Sequence, residues 1–289
     1  MLYHISNDRL AVTASDLGAQ LMSIQNPEGM EYLWQGDPTY WADRALNLFP
    51  YIARLTRGQY TYRGKSYHMP IHGFAPTSLF RGRKEAEDCL TFTLEDSTES
   101  YAMYPFRFVF SIIYQLKENA LQVIYRVENR DQKTMYFAVG GHPGINLPLE
   151  EGLKFEDYYL KFGSSDLKRV EFSKDCFVTG ELTPFPLEDG ILPLHHDLFD
   201  DDAIVLKDTP QSVQLMSNKG ARGVCLNAPD FPYWGFWHKP MSDAPYICLE
   251  PWSALPSRKD VVEDLERKED LTALPEGQTY ERTWSLTFF

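Results

Sequence analysis

Apolar residues along this chain recur at every second position more often than at every third or fourth. FRFVFSIIYQL (106–116) and ALQVIYRVEN (120–129) both alternate, and the short KEN link between them predicts a long antiparallel hairpin. The same period runs through GQYTYRGKSYHM, CLTFTLE, SVQLMS and the final YERTWSLTFF, with Gly, Asn, Asp or Pro between segments, and predicts more than a dozen strands. Helical patterns are scarce. VVEDLERKEDL (261–271) is the best candidate, highly charged and short enough to be marginal alone. No βαβ rhythm, phosphate-loop glycine pattern, heptad series or internal repeat is evident. The 19 prolines are spread over the whole length, which fits many turns and strand ends better than one linker. The pattern predicts an all-β chain, a large antiparallel β-sandwich forming a single domain over 1–289.

Composition adds limits. Of 289 residues, 43% are apolar and 14% aromatic, ample for a sizeable core. The 28 basic and 41 acidic residues leave a net charge of −13, a field that repels phosphate backbones and anionic lipid. With no local basic stripe to offset it, neither nucleic acid nor a membrane is expected as a partner. Cys89, Cys176, Cys225 and Cys248 form no C-x-x-C pair, and three of them sit in apolar alternating segments. The opening MLYHISNDRL carries no signal pattern, and no apolar run approaches about 18 residues, so a reduced, cytoplasmic protein is expected.

Four stretches carry candidate chemistry. In YHMPIHGFAP (67–76), His68 and His72 are four apart, the spacing of two metal ligands on a helix. Pro70 lies between them in a stretch that alternates as a strand, where four residues span roughly 13 Å, too far for one tetrahedral ion. His72 is left beside Gly73, which allows close approach of a ligand or of another backbone. In AVGGHPGIN (138–146), His142 is flanked by glycines and followed by Pro143 just past the strand MYFAVG, where a loop meets a sheet edge; a tight turn that happens to hold a histidine is the alternative. In YICLEPWSALPS (246–257), Glu250 shares a strand face with Cys248, and Pro251 is expected to stop the ladder. A carboxylate there is a strand-end ion pair or a base raised by aromatic surroundings. In NLFPYIARLTRG (47–58), Arg54 follows an apolar run and either pairs with a buried carboxylate or offers its planar fork to a ligand.

Two further features are weaker. PDFPYWGFWHKP (229–240) is unusually aromatic, and aromatic faces stack on sugar rings, although most such residues are core. FDDDA (199–203) could hold a cation but lacks the glycine and distal glutamate of a helical calcium loop.

NLFPYIARL, GQYTYRGKSYHMPIHGFA, VGGHPGIN and CLEPW, in that order and across nearly the whole chain, resemble the aldose 1-epimerase (galactose mutarotase) family, most of all its LacX-containing bacterial branch. The resemblance implies a galactose mutarotase-type β-sandwich with a sugar cleft on one concave sheet. It further implies Glu250 as general base, His142 as general acid, and His72 as a second histidine near the ring oxygen. Arg54 and an aspartate of LFDDDAIVL would bind sugar hydroxyls, Asp202 being the choice over Asp200 and Asp201. No metal or redox cofactor is implied, and the partner is a small-molecule sugar, with the protein a monomer or homodimer. The family's HGFAR reads HGFAP here, so Pro76 stands where an arginine is usual, and SALPS follows the tryptophan where many relatives have a glycine. The activity implied is α/β anomer interconversion of a free aldohexose such as galactose or glucose. Two alternatives on the same fold are a hexose-6-phosphate epimerase drawing on Arg57, Lys239, Arg258 or Lys259, and a sugar-binding protein without turnover.

Overall fold

The computed structural model describes residues 1–289. The alternating segments pair as the sequence predicts: Phe108–Lys117 and Ala120–Asn129 form an antiparallel hairpin, with Ala120 opposite Lys117 and Asn129 opposite Phe108. This hairpin lies inside a nine-stranded sheet. On one side the order continues through Cys89–Glu95 to Arg81–Ala86, and on the other through Thr279–Phe288, Val224–Asn227, Ser212–Ser217 and Tyr158–Phe162 to Ile191–Pro193. Facing it is a seven-stranded sheet, ordered Val178–Pro186, Asp166–Phe172, Ile204–Lys207, Tyr233–Trp237, Tyr246–Trp252, Gly140–Asn146, Ala45–Leu48. All pairings in both sheets are antiparallel.

One contiguous cluster of 74 buried residues, running from Ile5 to Phe288, fills the space between the sheets, and the second cluster is a satellite of four, Trp34, Ala244, Tyr246 and Cys248. Phe49 stacks on Phe110 and Phe162 meets Phe236 edge-on across the layers. Polar groups caught in this core are paired: Asn47 Nδ2 donates to the carbonyls of Gly18 and Ala19, and its Oδ1 accepts from the Tyr125 hydroxyl at 2.9 Å.

The charged segment 261–271 is not a helix but a run of turns. Its backbone is claimed by tertiary partners: Thr61 N donates to Glu263 O and Leu265 N to Thr61 O, both at 2.8 Å, tying the segment to a neighbouring strand. The Glu263 carboxylate turns inward to accept from the Arg258 backbone and guanidinium. A short charged helix, marginal in isolation, loses to these bonds. The α-helix that does form is Thr98–Met103, capped reciprocally by Ser97 and Ser100.

His142 is also placed differently from expectation. The Met135–Phe137 strand ends early, and Gly140–Asn146 is itself a strand, lying between Ala45–Leu48 and Tyr246–Trp252 in the sheet interior. Glycine makes this possible on the core side, because a Cβ on Gly141 would lie 2.6 Å from the Trp284 ring. Pro251 does not end its strand, for Trp252 still pairs with Gly140 on one side and Tyr233 on the other.

Candidate active site

The register of the two central strands sets the site. Gly140 lies opposite Trp252 and Gly144 opposite Cys248, which brings His142 opposite Glu250. Pro143 and Pro251 have no N–H to give to the ladder, and no paired positions occur between these two points. Side chains alternate across the pleat, so Cys248 and Glu250 share the face turned away from the core while Ile247 and Leu249 join the core cluster, and Trp252 both lines the cleft and packs on that cluster. On the next strand Gly235 pairs with Glu250, with no side chain to cover the carboxylate.

Over this face lies a cleft of about 390 Å³. His142 and Glu250 line it together with Arg54, His72, Asp201 and Asp202, while Trp41, Trp237 and Trp252 supply aromatic wall. Residues from seven separated stretches of sequence thus meet over one sheet. His142 is 8% exposed and Glu250 1%, and His142 Nε2 lies 3.2 Å from Glu250 Oε2. Trp252 Nε1–H donates to the same oxygen at 3.2 Å, leaving Oε1 without a protein partner. Trp41 lies over the His142 ring at 4.8 Å between centroids and Trp237 meets it edge-on at 5.6 Å.

Burial acts on the two groups in opposite directions. It pushes Glu250 well above the usual carboxylate range, opposed by the Trp252 hydrogen bond and reinforced by the charge of Asp202. It holds His142 well below the ordinary imidazole range, with His72 adding to the effect. The neutral form of each is therefore favoured, with one proton held by the pair.

His72 sits at a turn with φ of 65°, and its ring lies 5.5 Å from that of His142. The turn is enforced by a close approach: Gly73 is at φ 76°, and a Cβ there would be 2.1 Å from the Phe49 carbonyl oxygen. Ala53 N–H donates to His72 Nδ1 at 3.2 Å, which fixes the tautomer with the proton on Nε2. Burial, then the Arg54 charge, lowers its pKa from 6.5 to about 4, so His72 is a neutral donor at physiological pH. His68 lies on an exposed edge strand and takes no part in the cleft.

Arg54 is exposed in the cleft, and none of the ion pairs of the protein engages it. Its backbone is clamped through His72 N to Ala53 O and Ser257 N to Arg54 O. Among the three aspartates, Asp200 turns away to accept from Met241 N, whereas Asp201 and Asp202 line the cleft. Asp202, at φ 81°, accepts from Ala203 N and from the Cys176 thiol, whose sulfur lies 2.6 Å from Oδ2. Burial, then this hydrogen bond, pushes the Cys176 thiol up to about 12.

Sequence reasoning missed Asp43, Phe172 and Cys176, which also line the cleft. All three lie in segments without a recognisable motif, and only the fold brings them here. Pro76, which departs from the usual arginine, lies in a 3-10 turn packed against Gly18 and does not line the cleft.

One sheet of the antiparallel sandwich thus carries a buried carboxylate–imidazole pair on the floor of a cleft walled by tryptophans. The chain belongs to the aldose 1-epimerase family, whose model matches residues 1–286. It is 33% identical to protein LacX of Lactococcus lactis subsp. lactis, over 99% of both chains. It is also similar to a galactose mutarotase related enzyme from Lactobacillus acidophilus, at 34% identity and a TM-score of 0.95, covering 100% of this chain and 97% of the other. A galactose mutarotase-like protein from Lactobacillus casei superposes with a TM-score of 0.95 at 31% identity, covering 100% of both chains. No helix is long and apolar enough to cross a membrane.

Proposed function

We propose that this protein is a cofactor-independent aldose 1-epimerase acting on a free aldohexose, with Glu250 as general base and His142 as general acid. The observation that carries the proposal is the buried Glu250–His142 contact at 3.2 Å on the cleft floor. Anomer inversion moves only protons. The base takes the O1 proton, the C1–O5 bond breaks as O5 accepts a proton from the acid, and C1 becomes an aldehyde. Rotation about C1–C2 presents the other face, and the same steps in reverse close the ring with both protons restored.

The pair holds the single proton this chemistry needs, in two arrangements: carboxylic acid with neutral imidazole, or carboxylate with imidazolium. Burial by itself favours the first. A sugar inserted between the groups, its O1–H donating to the carboxylate and its ring oxygen accepting from the imidazolium, favours the second. His72, a neutral Nε2–H donor, suits a contact at the ring oxygen, and Arg54 and Asp202 suit the hydroxyls.

A free sugar fits the cleft charges better than a phosphorylated one. Arg54 is the sole Lys or Arg in the lining and faces Asp43, Asp201, Asp202 and Glu250. Lys239 donates to Thr39 O and Arg258 is engaged by Glu263, both away from the cleft. Pro76, the one feature favouring a protein without turnover, lies away from the cleft as well.

Polarimetry on freshly dissolved α-galactose and α-glucose tests the proposal. Glu250→Gln is expected to slow anomer exchange by about 10² to 10⁴. An unchanged rate in that variant rules out Glu250 as the base.

A further inference from the structure

The acid/base pair leaves one buried group of its own sheet face unused. Cys248 is two residues before Glu250 on the same strand, 0% exposed, and lies diagonally across from His142. One ligand atom each from His142, Cys248 and Glu250 falls within 4.8 Å of the other two. Nitrogen, thiol sulfur and carboxylate oxygen are together a zinc-type donor set.

The geometry points to a thiophilic divalent-cation site formed by His142, Cys248 and Glu250, best matched to zinc, whose occupancy shuts off the acid/base pair. Tetrahedral zinc with N and O ligands at about 2.0–2.1 Å puts those atoms about 3.3 Å apart, and N–S or O–S edges come to about 3.6 Å. The Nε2–Oε2 separation of 3.2 Å already matches the first value. The three atoms lie within 4.8 Å of one another, so the widest separation needs a contraction of about 1 Å on binding. The fourth position opens on the cleft that His142 and Glu250 line.

Charge balance favours the exchange. The Glu250 carboxyl and the Cys248 thiol each have a proton to give up to a metal. A dication displaces both protons to solvent, so Glu250 carboxylate and Cys248 thiolate together carry two negative charges against the metal's two positive ones, and the buried site stays neutral. Nothing is oxidised or reduced. His142 Nδ1 has no acceptor behind it, so the site lacks the outer hydrogen bond that supports a resident metal, and it suits reversible inhibition rather than a permanent centre.

The inhibitory half of this inference rests on the acid/base reading above, and the binding half does not. The test uses the full chain with Co²⁺ and Zn²⁺. Wild type is expected to give a thiolate-to-cobalt charge-transfer band in the near ultraviolet, bleached by Zn²⁺. Zn²⁺ is expected to slow anomer exchange, and a chelator to restore it. Cys248→Ala is expected to lose the band, keep its metal-free rate, and need about tenfold or more zinc for the same inhibition. Cys248→Ser, closer in volume, is the second variant should alanine unfold the chain. A folded wild type without the band, or Cys248 variants with unchanged zinc sensitivity, overturns the site. A wild type that shows the band but accelerates no anomer exchange upholds the site and overturns the acid/base reading instead.

Discussion

Gly235 lies directly opposite Glu250 in the antiparallel register, and a Cβ placed on it would approach the Glu250 Cβ to 3.3 Å and the Trp252 ring to the same distance. The absent side chain keeps the carboxylate open to the cleft on that side. Gly235→Val is therefore expected to push the carboxylate out of line and lower kcat/KM by about 10²-fold, while circular dichroism stays that of the folded chain. Full activity in the valine variant shows that this approach is not needed.

The pH profile follows from the opposed shifts of the pair. Glu250 is raised and His142 lowered, so the opposed shifts widen the interval over which the pair holds one shared proton. The rate falls on the acid side when the pair takes a second proton and on the alkaline side when it gives up its last. Polarimetric rates are expected to trace a broad bell, with apparent pKa values belonging to the pair. In His142→Asn, a loss of the alkaline limb together with a rate deficit of about 10² or more is expected.

His72 links the cleft to stability. Its folded pKa of about 4 lies below the ordinary 6.5, so between these values the unfolded chain binds more protons than the folded one. The stabilisation is full above about pH 6.5 and is lost as pH falls toward about 4. Urea midpoints measured over that window are expected to fall less steeply for His72→Asn, whose side-chain oxygen still accepts from Ala53 N. An identical slope in the variant contradicts the depressed value.

Asn47 is the polar keystone of the inter-sheet core, joining Gly18 and Ala19 carbonyls to the hydroxyls of Tyr114 and Tyr125. Asn47→Ala strands several of these buried groups and is expected to destabilise the fold by about 2–4 kcal/mol in equilibrium denaturation. Asn47 also sits opposite Gly141, one residue from His142, so a fall in activity at temperatures where the variant remains folded is expected to accompany the loss.

Much of the architecture is legible in the sequence because strand periodicity is local. The alternation at 106–129 fixes which side chains face the core, and the hairpin forms in the matching register. The segment 261–271 shows the limit: its charges suit a helix, but hydrogen bonds to Thr61 and Arg258, far away in sequence or hidden in a turn, decide its conformation. His142 shows the same limit in the other direction, since glycines and a proline read locally as a turn, whereas they are what allows a buried strand to pass under Trp284.

The site divides along the same line. The sequence by itself determined the chemical types, an arginine, two histidines, a carboxylate on an apolar strand and an aspartate cluster, because each sits in its own short motif. Only the tertiary structure decided their relations: that His142 and Glu250 touch, that Asp202 and not Asp200 reaches the cleft, that Cys176 holds that aspartate, and that Pro76 and His68 stand aside. The reason is physical. Side-chain type and strand period are properties of neighbouring residues, whereas the pairing of Gly140 with Trp252 and of Gly235 with Glu250 joins residues up to 112 positions apart, and that register sets His142 against Glu250.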